Sequence, residues 1–177
     1  MLKKILVLLA LFTLTACASK TASTIVVDSS LFPTVRGNSL EGKSVELPAA
    51  VAGAPAILLI GYKQNAQFDI DRWVLGLMQA GVKAKMLEVP TVTGIVPSIV
   101  SNLIEGGMRK GIPNEDWPSV VTVFSDADKI RAVLGDENPQ SAHIVALDST
   151  GKIIWSHNRG YSPRLALELK EAIEKVR

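Results

Sequence analysis

Residues 54–67 read APAILLIGYKQNAQ, an apolar run that changes abruptly into a polar turn. The run at 56–62 is rich in Ile and Leu and does not alternate with polar residues, which is typical of a strand buried on both faces. Residues 68–80 follow with apolar side chains at helical spacing. The turn between such a strand and helix is where α/β folds usually place their chemistry. Here it carries Lys63, Gln64, Asn65 and Gln67, and it has no sulfur.

Strand and helix patterns alternate along the rest of the chain. Further predicted elements are a hairpin at 37–48, strands at 82–89, 120–124, 143–147 and 153–157, a short helix that Gly135 closes, and a last helix capped by Ser162 and Pro163. A helix at 97–105 carries Ile99, Val100, Leu103 and Ile104 on one side, and Gly106 and Gly107 are expected to end it. This order predicts an α/β fold, a mixed β-sheet with helices on both faces.

The N-terminus resembles the signal peptide of bacterial lipoproteins. Lys3 and Lys4 precede an apolar run at 5–12 that is too short to span a bilayer, and Leu14-Thr15-Ala16-Cys17 matches the lipobox of that class. The resemblance implies a signal peptide at 1–16, a lipidated Cys17 carrying palmitate-type acyl chains with a tether to residue 30, and a domain at 31–177. The alternative is an ordinary secreted protein, cleaved after Ala16, with a free thiol.

The residues after the lipobox and the charge of the mature chain bear on location and partners. Ala18 and Ser19 follow Cys17 instead of an aspartate, which resembles a sorting signal for the outer membrane, facing the periplasm. Removal of Lys3 and Lys4 lowers Lys plus Arg from 19 to 17, which equals the 17 Asp plus Glu. Because nucleic-acid binding needs a clustered basic surface, no nucleic-acid partner is expected.

The pattern from residue 31 onward resembles the thioredoxin-like superfamily, and within it the thiol-peroxidase and membrane-tethered oxidoreductase branch. The resemblance rests on the opening Leu31-Phe32-Pro33, the hairpin, the strand at 56–62 and the closing hairpin with its helix. In that family a Cys-x-x-Cys motif begins the first long helix, and a cis-proline faces it. Here Cys17 is the single cysteine, and the facing position is Ser141 or Ala142, with Pro139 nearby. Disulfide exchange needs two sulfurs, so redox and peroxidase activity are excluded.

Parts of the second half are similar to the mitochondrial ATP-synthase assembly-factor family, which is thioredoxin-like and also lacks the redox pair. The similar stretches are Gly111-Ile112-Pro113-Asn114-Glu115, Leu134-Gly135 with Asn138, Val145-Ala146-Leu147-Asp148, Gly151-Lys152-Ile153-Ile154-Trp155 and Gly160. The resemblance implies an assembly or chaperone-like scaffold without catalysis. It names no client, because a lipidated envelope protein would meet a different partner.

The two histidines, His143 and His157, lie symmetrically about Thr150. If a three-residue turn joins their strands, the two residues face each other with Cβ atoms ~5 Å apart. Such a pair can bind a transition metal, but a metal site needs further ligands, and a register change of one residue would separate the rings. We therefore expect no metal there.

The remaining candidates are binding groups. Trp117 stands in a polar loop and is the aromatic residue best placed for an exposed contact. No nucleophile or phosphate-binding motif occurs, and the paired carboxylates read as helix caps or solvated faces. The sequence predicts a non-enzymatic binding or assembly protein without a cofactor, which uses Tyr62, Lys63, Gln64, Asn65, Gln67 and Trp117. The alternative is a small-ligand carrier or non-thiol enzyme, which a deep polar pocket beside Tyr62–Gln67 would favour over a flat apolar patch.

Overall fold

The computed structural model of the protein describes residues 30–94 and 98–177. The predicted signal peptide, Cys17 and the tether up to residue 29 lie outside this part. The strands are β1 Val35–Ser39, β2 Ser44–Leu47, β3 Ala56–Gly61, β4 Lys85–Pro90, β5 Val121–Thr122, β6 His143–Leu147 and β7 Ile153–His157. The α-helices are α1 Gln67–Gln79, α2 Ser98–Gly111, α3 Ala127–Leu134 and α4 Pro163–Lys175, with 3-10 turns at Ala49–Val51, Gln64–Ala66 and Asn114–Ser119. No helix in the described part is long and apolar enough to cross a membrane.

The strands form two sheets that meet edge to edge. One has the order β4-β3-β6-β7 and the other β2-β1-β5. Parallel bridges from Glu88 to Val120 and from Thr91 to Val123 join β4 to β5. β3 pairs parallel with β4 and antiparallel with β6, so the predicted mixed sheet is confirmed.

β3 is the centre of the core, as its uninterrupted apolar pattern predicts. Leu58 and Ile60 face a cluster with β1, β5 and α3, whereas Ile57 and Leu59 face a cluster with α1 and α4. The exposed fraction of each of these four side chains is 1% or less. Since successive side chains of a strand point to opposite faces, a strand covered on both faces needs apolar residues at every position.

The closing hairpin has a different register from the one predicted. A β-bulge between Ala146 and Leu147 shifts the pairing, so that Ile144 and not His143 lies opposite His157. The ring of His143 packs 4.3 Å from the ring of Tyr62, and His157 packs on the other face, 6.0 Å from Trp73. The predicted His143–His157 pair is therefore wrong, because the extra residue places the two rings on opposite sides of the sheet.

Helix α2 continues through the two glycines that were expected to end it. A Cβ atom at Gly106 or Gly107 would meet nothing within 4 Å, so both positions are open to solvent. Each glycine weakens a helix by only about 1 kcal/mol. Arg109 offsets this cost by donating from Nε to the carbonyl oxygen of Leu40 at 2.7 Å and from Nη2 to Glu105 at 3.0 Å. The helix ends at Gly111.

Two predicted strands are shorter in the structure. The strand expected at 82–89 begins at Lys85, and the one expected at 120–124 is reduced to Val121–Thr122. The loop before the second strand contains a 3-10 turn, Asn114–Ser119, with Pro118 inside it. Strand ends depend on which partner the backbone finds, which a local pattern does not contain.

Candidate functional site

The turn after β3 presents polar side chains to solvent around one buried anchor. Ala66 is fully buried, and its N–H donates to the carbonyl oxygen of Lys63 at 2.9 Å, closing the 3-10 turn Gln64–Ala66. The predicted contacts Lys63, Gln64, Asn65 and Gln67 are all exposed. Phe68, the next residue, has an exposed fraction of 67%. The turn is therefore a surface of amide and amine groups beside one aromatic ring.

Asp69 connects this turn by hydrogen bonds to two distant parts of the chain. Its Oδ2 accepts from the N–H of Ala142 at 3.0 Å, and its Oδ1 accepts from the N–H of Tyr161 at 2.9 Å. The exposed fraction of Asp69 is 7%. The sequence interpretation of this carboxylate as a helix-end group missed this role, because its partners lie 73 and 92 residues away. Asp69 thus identifies Ala142, of the two residues predicted to face the turn, as the one held against the start of α1.

Tyr62, another predicted contact, is buried and does not share the exposed surface of the turn. Its exposed fraction is 6%, and its ring lies between the His143 ring and the Arg131 guanidinium, 4.7 Å from the latter. Burial raises the pKa of the Tyr62 hydroxyl well above its usual range, against an opposing effect of Arg131. Tyr62 is therefore neutral at physiological pH and lies beneath the exposed surface, and its predicted role in binding stays a prediction.

His143 is a buried imidazole without a hydrogen-bond partner among the described residues. Its exposed fraction is 2%, and neither ring nitrogen has a partner within hydrogen-bond geometry. The Tyr62 hydroxyl is unpartnered in the same sense. Burial lowers the pKa of His143, and the nearby backbone of Asn138 and the carboxylate of Asp136 counteract this only in part. Burial therefore favours the neutral form of the ring.

A cavity of about 310 Å³ adjoins His143. Its walls include Val133, Leu134, Glu137, His143, Ser156 and Asn158. The residues of the polar turn, 63–67, do not line it. This cavity is therefore not the pocket beside Tyr62–Gln67 that would favour a ligand-binding protein.

A larger cleft of about 540 Å³ lies on the polar face of the β2-β1-β5 sheet. Its charged groups are paired with one another: Arg36 with Glu46 at 3.2 Å, and Lys129 with Asp126 at 2.8 Å. Asp126 also accepts from the backbone N–H of Arg36 at 2.8 Å, and both hydrogen bonds lower the pKa of Asp126. Because these charged side chains are paired with one another, they need no ligand as a partner.

Trp117 lies apart from the turn and is half-buried. Its Nε1 donates to the carbonyl oxygen of Ile112 at 3.0 Å, and the Arg109 guanidinium lies 5.9 Å from its ring. These contacts fix the 3-10 turn Asn114–Ser119 against the end of α2. Trp117 is thus half-buried and not fully exposed as expected, and its predicted role as a binding contact stays a prediction.

Comparison with known proteins yields similarity of structure alone. No protein-family model matches the chain, and no curated protein matches it in sequence. Among solved structures, a putative electron transfer protein from Aquifex aeolicus matches with a TM-score of 0.59 and 16% identity, over 84% of this chain and 97% of that one. The exposed lipoprotein thioredoxin Etrx1 of Streptococcus pneumoniae matches with a TM-score of 0.54 and 14% identity, over 78% of this chain and 98% of that one.

A third match is a copper-bound protein, ScoI of Arabidopsis thaliana. The TM-score is 0.53 at 9% identity, with 82% of this chain and 99% of that one covered. Within residues 30–94 and 98–177, no group of three or more His, Cys, Asp or Glu side chains comes together in a way that could hold a metal ion. The donor set of these residues therefore does not fit a copper centre, and His143 stands without the further ligands that a transition metal requires.

Proposed function

Because the chain has a thioredoxin-like fold and the turn that holds thiols in redox proteins of this class contains none, we propose that it binds other proteins and transfers no electrons. One observation carries the proposal: the sequence contains a single cysteine, Cys17, which lies outside the described residues. Thiol–disulfide exchange requires an attacking thiolate and a second sulfur. Purified protein is expected to show no reduction of a disulfide substrate, and measurable turnover would contradict the proposal.

The proposed location is the bacterial cell envelope, with the chain attached to the outer membrane by acyl groups on Cys17 and the domain facing the periplasm. The lipobox Leu14-Thr15-Ala16-Cys17 supports it. Mass spectrometry of the mature chain will detect acylation, and Cys17→Ala is expected to release the protein from the membrane fraction. An unmodified Cys17 in a membrane-purified protein would refute this attachment.

The proposed binding surface is the turn 63–67 together with Phe68 and the exposed stripe that continues along α1. Leu75 and Met78 follow Phe68 at helical spacing, with exposed fractions of 60% and 63%. Exposed aromatic and apolar side chains next to amide groups suit an extended protein segment, whose apolar side chain covers Phe68 and whose backbone pairs with Gln64 and Asn65. This apolar stripe continues the exposed amide groups of the turn 63–67, which add to the area that a partner can cover, and the combined surface supports a protein partner over a small molecule.

This surface can be tested by removing its polar and aromatic groups together. Replacing Gln64 and Asn65 by Ala and Phe68 by Ser is expected to lower the yield of crosslinked partner in native membranes by at least about tenfold, the equivalent of one lost interfacial anchor. The matched control is Leu167→Ser, which removes an exposed leucine from α4 with an exposed fraction of 52%. The triple variant must keep the far-ultraviolet circular dichroism of the parent. Equal yield from the parent, the triple variant and the control would remove this surface from consideration.

A second candidate function, the binding of a small neutral ligand, is favoured by the cavity beside His143. A neutral imidazole offers one donor and one acceptor; the ring lies near the Asn138 backbone, but neither ring nitrogen makes a hydrogen bond of normal geometry among the described residues. A small amide or alcohol with an apolar body would fit these groups and the walls formed by Val133 and Leu134. Titration with nicotinamide tests it by nuclear magnetic resonance: shifts of the Val133 and Leu134 methyl signals that are lost in His143→Phe would support it, and unshifted methyl signals in the parent would refute it.

The stability of the protein is expected to depend on pH through His143. The folded state holds His143 neutral, whereas the unfolded chain binds a proton as the pH falls below about 6.5. The unfolded state therefore binds more protons in acid, and stability is expected to fall between pH 7.5 and 5, with a slope of up to about 1.4 kcal/mol per pH unit for one group. Urea unfolding at several pH values measures the slope.

His143→Phe is the matched variant for this prediction, because it keeps a ring against Tyr62 and removes the titrating group. Burial also lowers the pKa of His157, so the slope should become smaller without disappearing. An unchanged slope in His143→Phe would show that His143 is protonated in the folded protein as readily as in the unfolded chain.

A further inference from the structure

Helix α2 turns its apolar side away from the protein. Ile99, Val100 and Leu103 have exposed fractions of 80%, 42% and 75%. The contacts that hold the helix are made by its other side, where Glu105 is 7% exposed and Arg109 donates to the carbonyl oxygen of Leu40. The Thr122 hydroxyl also approaches Met108 Sδ at 3.9 Å. The outward face thus lacks a partner in the described chain, and the inward face is held by polar groups.

The charged residues of α2 follow the same division into an outer face and an inner face. Lys110 is exposed and lies eleven residues after Ile99, which places it on the face of Ile99 and Leu103. Glu105 is the one carboxylate among residues 98–111, and Arg109 binds it on the inner side at 3.0 Å. The outer face therefore combines aliphatic side chains with an ammonium group at its end and carries no negative charge. This combination is typical of helices that lie in the interface of an anionic bilayer.

The size of the outer face argues against a protein partner as its occupant. Three aliphatic side chains of this size offer at most about 350 Å² of apolar surface. A stable protein–protein interface buries roughly 800 Å² on each partner, and an interface between two copies of this chain needs the same area. A bilayer needs no such area when the protein is already held beside it, because a second, weak attachment adds to the first.

The length of the chain before the domain keeps α2 close to the membrane. The thirteen residues from Cys17 to Ser30 reach at most about 45 Å. A domain of the size of residues 30–177 has a diameter of about 40 Å. A domain attached at Cys17 therefore stays within about its own diameter of the lipid surface, where α2 meets the bilayer at high local concentration.

We propose that the outer face of α2 docks on the lipid bilayer, with Ile99 and Leu103 among the acyl chains and Lys110 at the headgroups. The inference rests on the proposed attachment through Cys17, which brings the helix to the membrane. Docking would give the domain a second membrane contact besides the lipid anchor. It would thereby fix the orientation of the domain relative to the membrane.

The experiment places an environment-sensitive fluorophore on α2 of the mature lipoprotein in vesicles of phosphatidylethanolamine and phosphatidylglycerol. Because an acylated Cys17 cannot react, Leu103→Cys supplies one accessible thiol, and Leu167→Cys on α4 is the matched control. The expected result is a several-fold rise in emission at position 103 and quenching by spin-labelled lipid, with neither at position 167. Leu103 is largely exposed, so the substitution leaves the fold intact.

A second arrangement separates docking from acylation. The mature chain with Cys17→Ala carries an N-terminal histidine tag and is held on vesicles that contain a nickel-chelating lipid. Shielding of position 103 there would support docking. If Cys17 is also unmodified in the native protein, the lipid anchor is refuted while docking is retained. If the native chain is acylated and position 103 stays accessible to water in both arrangements, docking is refuted. Shielding of position 103 without vesicles would also refute docking, because a second copy of the chain would then cover the helix. Sedimentation would show this dimer.

Discussion

Replacing Asp69 by Asn is expected to lower the free energy of unfolding by about 3 kcal/mol. The carboxylate accepts two backbone hydrogen bonds, from Ala142 at 3.0 Å and from Tyr161 at 2.9 Å, in a buried place. An Asn side chain keeps one acceptor oxygen and turns an NH₂ group toward the other backbone N–H, so that one donor is left without a partner. Urea denaturation at neutral pH measures the change.

Asp71→Asn is the matched control for this variant. Asp71 lies two residues further along the same helix and accepts from Gln67 Nε2 at 3.0 Å on the surface. Surface polar pairs contribute little, so the control should lie within about 0.5 kcal/mol of the parent. If Asp69→Asn proved as mild as Asp71→Asn, Asp69 would not be the residue that joins the turn to Ala142 and Tyr161.

Trp73→Ala is expected to cost about 3–5 kcal/mol of stability, the usual range for a buried large aromatic residue. Trp73 is fully buried in α1, and its ring lies 5.8 Å from Trp155 and 5.4 Å from Tyr161. Its removal leaves a cavity between α1, β7 and the start of α4, because these elements pack on that ring. Differential scanning calorimetry will show a lower Tm for the variant.

Trp73→Phe separates the loss of volume from the loss of the indole N–H. The Trp73 Nε1 has no hydrogen-bond partner among the described residues, so replacing the indole removes no hydrogen bond seen there. Trp73→Phe keeps an aromatic contact and is expected to cost less than half as much as Trp73→Ala, because the residual cavity is smaller. Equal losses in the two variants would mean that the indole N–H, and not the packing, stabilises this core.

These two residues stabilise the same part of the molecule. Asp69 and Trp73 lie one helical turn apart in α1 and both contact Tyr161. They hold the first turn of α1 against the residue before β6 and the start of α4. The exposed turn at 63–67 is therefore presented by a rigid base, which lowers the entropic cost of binding a partner.

The central elements of the fold were predictable from local pattern. β3 and α1 follow from an apolar run of strand length and from apolar residues at helical spacing, and both are confirmed within one residue at each end. The predicted thioredoxin-like fold is confirmed as well. Patterns of this kind are reliable because all residues of β3 except Gly61 are buried, so burial and sequence carry the same information.

The candidate site was predictable only in part. The sequence identified the exposed turn and its lack of sulfur, and the proposed role of Lys63, Gln64, Asn65 and Gln67 stays a prediction. It did not reveal Asp69, since a carboxylate in a first helical turn usually faces solvent. The sequence analysis placed His143 opposite His157, because the alternation of apolar and polar residues does not reveal the bulge at Ala146 and Leu147.

By itself, the sequence determined which residues are apolar, which segments become strands and helices, and that residues 30–177 contain no thiol. Tertiary structure alone decided where those segments face. Helix α2 has an apolar side in sequence, yet the polar contacts of Glu105 and Arg109 turn that side outward. The physical reason is that amphipathicity depends on neighbours along one helix, whereas orientation depends on the backbone groups that distant strands leave open for hydrogen bonds.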